Sequence, residues 1–240
     1  MIIAGHTHIG RVRVRNEDAI GWDEAAGVAA IADGMGGHPA GDVASRLAVA
    51  TALETVRKQR SNSRTWLAEG GDVGQLIREA HQAILTEAER GPSYVGMGTT
   101  LVIAAVDDNR VAIAHVGDSR AYRRHQGLLS RLTRDHNLAQ EALDQGWMTP
   151  EQARHAPERH RLTQVLGIGT VSPGVMCFEG QRGDLIMVCS DGLTGELADS
   201  EIHRQLTQAN GDLERTAQLL VRAAVDSGGS DNISVVILEL

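Results

Sequence analysis

The sequence predicts an α+β fold in which antiparallel sheets pack against paired helices. Three observations carry that prediction. Five short runs are apolar almost throughout: "GVAAIAD" (27–33), "TTLVIAAV" (99–106), "RVAIAHVGD" (110–118), "DLIMVCSD" (184–191) and "ISVVILEL" (233–240). Strands of that kind need cover on both faces. Two long helical patterns follow one another without a strand between them. Hairpin-like strand runs sit beside them, so the order is not the β-α-β-α alternation of a parallel sheet.

Taken in order, the first helical pattern is "AGDVASRLAVATALETVRKQ" (40–59) and the second is "DVGQLIREAHQAILTEAER" (72–90). In the second, Leu76, Ile77, Ala80 and Ile84 share one face. The stretch "SNSRTWLAEGGD" between them reads as a loop by composition. "QG" at 126–127 supplies a hairpin turn between "RAYRRH" and "LLSRLT". Thr149, Pro150 and Gln152 form the pattern of a capping box that opens a short helix. A last helix at about 212–226 ends on "SGG" before the final strand. No repeat, linker or low-complexity tract interrupts the 240 residues, which suit one domain spanning 1–240.

Composition narrows the function classes. Aromatic residues make up only 2%, so the core is built from Ala, Val, Ile and Leu, and a base-stacking nucleic-acid platform is disfavoured. A formal charge of -8 also argues against binding a phosphate backbone. Cys177 and Cys189 are the only cysteines and form no CxxC. That usage fits a reducing cytoplasm, with Cys189 a buried strand residue. No run reaches the roughly eighteen apolar residues of a membrane span. The expectation is a soluble cytoplasmic monomer without nucleic-acid or membrane partners.

"IADGMGGHPAGDVAS" (31–45) places four glycines within eight residues after Asp33. It is not a phosphate cradle of the Walker type. Gly36 and Gly41 have the right spacing, but Asp42 stands where that loop needs lysine, and its carboxylate repels triphosphate oxygens. A metal-binding strand end fits better. "VAAIADG" (Asp33) and "LIMVCSDG" (Asp191) both end an apolar run on Asp-Gly, a third strand ends in "VGDSR" (Asp118), and a fourth begins just after "SDN" (Asp231). Any one Asp-Gly is an ordinary turn. Four carboxylates at strand ends can converge on one sheet rim, where oxygen ligands suit Mg²⁺ or Mn²⁺.

Seven blocks in order resemble a bacterial member of the PPM (PP2C-like) family of metal-dependent serine/threonine phosphatases. They are "GRVRVRNEDA" (10–19), "ADGMGGHPAGDVAS" (32–45), "GMGTTL" (96–101), "VGDSRAY" (116–122), "LTRDH" (132–136), "LIMVCSDGL" (185–193) and "GGSDNISVV" (228–236). The resemblance implies a four-layer αββα sandwich, two antiparallel β-sheets flanked by pairs of helices. It implies that Asp33 bridges two metals, Gly34 offers its carbonyl to one, and Asp191 and Asp231 complete the other. By the same resemblance Asp118 helps hold a weaker third metal, Glu17 and Asp18 order metal-bound water, and Arg13 docks the substrate phosphate. Residues 136–170, with His136, His155 and His160, correspond to the family's variable flap. The implied substrates are phosphorylated proteins, with a Ser/Thr kinase as the opposing enzyme.

The chemistry stands apart from the name. Two Mn²⁺ or Mg²⁺ ions a few ångströms apart lower the pKa of a bridging water and supply hydroxide near neutral pH. That hydroxide attacks phosphorus in line with the leaving serine or threonine oxygen, with no phosphoenzyme. Arg13 also has a plainer reading, because Arg11, Arg13 and Arg15 alternate with Val12 and Val14 as on one basic face of a strand. Two departures from the family pattern stand out: His8 occupies a position that is commonly acidic, and Met35 stands where eukaryotic members carry histidine, with His38 nearby. Two rival readings are a non-catalytic phosphoprotein-binding relative, which loss of a metal aspartate would mark, and an amidohydrolase barrel opened by "HTH" at 6–8.

Overall fold

The computed structural model describes residues 1–35, 40–63, 66–67, 72–208 and 211–240. One sheet contains, in spatial order, β1 (Ile2–His8), β10 (Ile233–Glu239), β9 (Leu185–Cys189), β6 (Arg120–His125) and β7 (Leu128–Arg131). The other contains β2 (Asp18–Asp23), β3 (Val28–Asp33), β4 (Leu101–Asp107), β5 (Arg110–Val116) and β8 (Gly174–Glu179). Every pairing is antiparallel. Helices α1 (Gly41–Asn62) and α2 (Val73–Ala88) cover the second sheet. Helices α5 (Asp191–Glu196), α6 (Asp199–Thr207) and α7 (Leu213–Ser227) cover the first. The expected four layers are therefore present.

The all-apolar strands are explained by three stacked cores. Ile31, Val102, Ile113, Val188 and Val236 meet between the sheets. Their strand neighbours point outward onto helices, so neither face reaches water. Where α1 crosses the second sheet, Ala30 and Ala32 face Ala44, Ala48 and Ala52, all fully buried. Small residues on both sides bring helix and sheet close. Glycine completes that approach at Gly21, where an added Cβ would lie 2.7 Å from Val49 and 2.9 Å from Leu53 side-chain atoms. On α2, the predicted face of Leu76, Ile77, Ala80 and Ile84 is the buried one.

The local punctuation acts as the sequence implies. Gln126 and Gly127 both take positive φ, 48° and 79°, as a two-residue hairpin turn requires. Thr149 and Gln152 form both hydrogen bonds of a capping box at the start of α4 (Pro150–His155). Asp212 caps α7 by accepting from the Arg215 N–H. Within the 61–72 loop, Ser61 and Asn62 prolong α1, Trp66 and Leu67 are buried, and 64–65 and 68–71 lie outside the described residues. No described helix is long and apolar enough to cross a membrane.

Two features differ from the sequence expectation. Strands β1, β2 and β8 lie outside the five apolar runs. Residues 11–15 are not a strand: they form an exposed loop between β1 and β2, with Val12 68% and Val14 92% exposed. The Arg-Val alternation has no sheet partner there, because the loop's backbone bonds to the 229–232 segment instead.

Candidate active site

Antiparallel wiring brings the functional strand ends to one rim. β3 ends at Asp33, directly across from Asp18 at the start of β2. β9 ends two residues before Asp191, β10 begins two residues after Asp231, and β5 ends two residues before Asp118. These ends open into one cavity of about 730 Å³, whose walls include Arg13, Glu17, Asp33, Gly34, Asp118, Asp191 and Asp231. Of the expected site residues only Asp18 lies behind that wall.

Hydroxyls and bare backbone hold the rim in place. The Asp33 N–H donates to Thr100 Oγ1 at 3.0 Å, and its carbonyl accepts from Thr99 Oγ1 at 2.8 Å and from the Thr100 N–H at 2.9 Å. The glycines after Asp33 and Asp191 are required by space. A Cβ on Gly34 would sit 2.4 Å from the Gly41 carbonyl oxygen, and one on Gly192 would sit 2.0 Å from that of Asn232. Asp18 is buried and accepts from Ser190 Oγ at 2.8 Å and Ser234 Oγ at 2.6 Å. In the sequence Ser190 precedes Asp191 in "CSDG", and Ser234 lies three residues after Asp231 in "DNIS".

The electrostatics of the rim are one-sided. Burial, then the charges of Asp18, Asp191, Asp118 and Asp231, push the Asp33 carboxyl well above its ordinary range. Burial followed by Asp191 and Asp135 does the same to Asp118. Asp191 is raised by burial and by Asp231, and a hydrogen bond with Asp33 partly offsets this. Asp18 is raised to about 7 by burial, against the pull of its two serines. Asp18 Oδ1 and Asp191 Oδ1 are buried with no hydrogen-bond partner.

Oxygen donors of this kind, crowded and short of positive charge, fit a hard divalent cation. Among the described residues no three His, Cys, Asp or Glu side chains already form a group that could hold a metal ion. Mg²⁺ and Mn²⁺ do not need a preformed one: Mg²⁺ keeps several waters and binds through one or two carboxylates plus substrate oxygens. The carbonyl of Gly34 and the carboxylates of Asp33, Asp191, Asp231 and Asp118 are the groups that can hold such ions.

Arg13 reaches into the same cavity. Its guanidinium donates to Asp231 Oδ2 at 2.7 Å, and that bond holds its pKa above the ordinary value. Its neighbours do not share the position. Arg11 pairs outward with Asp226, and Arg15 forms no ion pair among the described residues. His8 occupies the departure position, and its Nδ1 accepts from the Gly10 N–H at 2.9 Å. Glu17 lines the cavity wall, and burial followed by the charge of Asp42 raises its carboxyl. Asn232, unremarked in the sequence, binds the Arg13 loop through its side chain.

The flap forms the opposite wall. Thr99 and Leu166 exchange backbone hydrogen bonds at 2.9 and 3.3 Å, which ties this segment to the strand carrying the Asp33 anchors. Its three histidines separate. His160 lines the cavity, His155 is exposed on α4, and His136 is buried, its ring stacked on His115 at 4.8 Å. Met35 lines the cavity, and His38 lies outside the described residues. Cys189 is buried in β9, and burial pushes its thiol up to about 12. It is therefore core, as expected.

The family profile described as Protein phosphatase 2C matches residues 4–223. The chain belongs to the protein phosphatase 2C family. It is 34% identical over 99% of its length to the serine/threonine protein phosphatase PstP of Mycobacterium tuberculosis, and spans 44% of that longer protein. It is 36% identical to the serine/threonine phosphatase stp of Listeria monocytogenes, over 97% of this chain and 93% of the relative. A crystal structure of the M. tuberculosis phosphatase superposes with a TM-score of 0.89 at 34% identity, covering 100% of this chain and 98% of that one. The catalytic domain of PstP, solved in complex with two manganese ions, superposes with a TM-score of 0.86 at 33% identity, covering 99% and 97%. Two sheets of five antiparallel strands set aside the amidohydrolase barrel, which needs eight parallel strands.

Proposed function

We propose that this family member hydrolyses phosphoserine and phosphothreonine on proteins with Mn²⁺ or Mg²⁺ bound at the carboxylate rim. One observation carries the reading: Asp33, Asp118, Asp191 and Asp231 line one rim with Asp18 directly behind it, and the carboxyls of Asp33, Asp118 and Asp191 are raised despite the opposing charges of Arg120, Arg159 and His160. Asp33, central to that electrostatic set, would hold the two core ions together with the carbonyl of Gly34, Asp191 and Asp231. Asp118, set on a separate strand end, serves a third and weaker ion. When bound, these cations supply ionised water at neutral pH and positive charge against the phosphoryl oxygens.

The chain's own residues do the rest. Arg13, on the cavity wall beside Asp231, would present its planar fork to the substrate phosphate. Glu17 on the wall and Asp18 behind it accept hydrogen bonds from water at the rim and orient it. Thr99 and Thr100 fix the backbone of Asp33, so the geometry is set before substrate arrives. No cysteine or serine nucleophile is involved, consistent with the buried Cys189 thiol. The non-catalytic alternative requires a missing metal aspartate, and all are present. Substrates are phosphoproteins made by a Ser/Thr kinase, and the working unit is the single 1–240 domain as a monomer.

The test is release of phosphate from phosphothreonine and phosphoserine peptides. Turnover should appear with Mn²⁺ or Mg²⁺ and vanish with chelator. Undiminished turnover by chelator-stripped protein would overturn the metal assignment, and no turnover with any divalent ion would overturn the reaction.

A further inference from the structure

We infer that Asn232 is a positioning residue that holds the loop 10–15 closed, and so sets Arg13 for substrate phosphate. The inference rests on the phosphatase reading above and assigns a role to a carboxamide that contacts the loop and not the metal-holding carboxylates, which Asn232 meets only through its backbone N–H, donating to Asp231 Oδ1 at 2.8 Å. Asn232 is 4% exposed and spends its whole side chain on this loop. Its Nδ2 donates to the Ile9 carbonyl at 2.9 Å and to the Arg15 carbonyl at 2.9 Å. Its Oδ1 accepts from the Glu17 N–H at 2.8 Å. Both ends of a seven-residue excursion thus meet on one carboxamide, which does for this loop what a ladder does for a hairpin.

The remaining contacts fasten the same loop to the same segment. Arg11 N–H donates to the Gly229 carbonyl at 2.7 Å. Gly10 takes φ +82°, and a Cβ there would lie 2.2 Å from the Asp231 carbonyl oxygen, so the loop's first residue presses on the backbone next to Asn232. Arg13 itself is 44% exposed at its side chain and has one hydrogen bond, to Asp231. Packing does not hold it. Its position is therefore inherited from the loop backbone, and the loop backbone from Asn232. Removing the carboxamide leaves the carbonyls of Ile9 and Arg15 without that donor and the loop free to widen, which moves the guanidinium relative to the rim.

The experiment is a double-mutant cycle on Asn232→Ala and Arg13→Ala, read with a phosphothreonine peptide, inorganic phosphate as inhibitor, and Mn²⁺ calorimetry. Asn232→Ala should raise KM and the phosphate inhibition constant about tenfold, the scale of one charge-assisted hydrogen bond. It should lower kcat less and leave Mn²⁺ affinity in place. In the Arg13→Ala background the same change should add less than about twofold, because there is no guanidinium left to misplace. Full multiplicative effects, or a loss that falls on kcat or Mn²⁺ affinity with KM unchanged, would overturn the inference. If Asn232→Ala melts below assay temperature, Gly10→Ala displaces the loop from its other end and must show the same non-additivity with Arg13→Ala. Failure of wild type to turn over peptide would count against the phosphatase reading, whereas additive effects in an active wild type count against Asn232 alone.

Discussion

Two sets of buried aspartates in this molecule look alike in sequence and behave oppositely. Asp135, Asp184 and Asp107 are 5% exposed or less at their side chains, and each is matched by arginine. Asp135 accepts from Arg120 at 2.7 to 3.2 Å and from Arg131. Asp184 meets Arg123 and His125, and Asp107 meets Arg60. At Asp184, burial pushes the carboxyl up, but the bonds from His125, the Gln181 N–H and Arg123 outweigh it and hold it low. At the rim, Asp33, Asp118 and Asp191 are raised, because burial and each other's charge have nothing to outweigh them. Burial of a carboxylate marks structure when its charge is balanced within the fold, and function when it is not.

The largest effect that separates the sets is expected at Asp33. Asp33→Asn should lower kcat by about 10²–10³-fold or more, the scale of losing a charge that acts in the transition state. In metal-free protein the same change should raise the melting temperature, since it relieves like-charge crowding. Kinetics and calorimetric melts on one preparation check both signs. A variant that is fully active, or that melts lower without metal, breaks the comparison.

Next comes its counterpart. Asp135→Ala leaves Arg120 buried beside Tyr122 with its charge uncompensated, which should cost about 3–5 kcal/mol. Urea denaturation measures it. A loss under about 1 kcal/mol would place Asp135 among ordinary surface pairs instead.

A smaller effect is expected in pH dependence. The Asp18 carboxyl is raised in the folded state to about 7, from near 4 unfolded. Its contribution is therefore fully present below about pH 4 and is lost as pH rises through 7. Asp33, Asp118 and Asp191 share that sign. His115 and His136 are lowered by burial, so their contribution is present above their ordinary value near 6.5 and lost as pH falls. Comparison with Asp18→Asn isolates the contribution of Asp18. Metal-free wild type should lose stability relative to the variant between about pH 4 and pH 7. A parallel pair of pH profiles would show that Asp18 carries no raised pKa.

The same contrast explains what sequence could and could not reveal. The rim was legible because each aspartate adjoins an apolar run and a small residue, and Gly34 and Gly192 are where backbone leaves no room for Cβ. The αββα layers were legible from strands apolar on both faces. The balanced set was not, since Asp107 and Arg60 or Asp184 and Arg123 lie 47 and 61 residues apart. β8 escaped because its side chains are mostly exposed, and β1 and β2 because neither is apolar throughout: His6, Thr7, His8 and Gly5 interrupt one, and Asp18, Asp23 and Gly21 the other. In the structure those glycines admit Val236 and Trp22, and Val49 and Leu53. The loop at 11–15 was misread as a strand face because alternation records side chains, while its fate is decided by carbonyls that Asn232 takes from a distance of over two hundred residues.

The most direct test is Mn²⁺ binding to chelator-stripped protein by equilibrium dialysis, for wild type, Asp33→Asn and Asp118→Ala. The unbalanced rim predicts two tightly held ions per wild-type chain, a sharp loss of tight binding in Asp33→Asn, and retention of both in Asp118→Ala. No saturable binding by wild type, or unchanged binding by Asp33→Asn, would contradict the claim that this rim is built to be completed by cations.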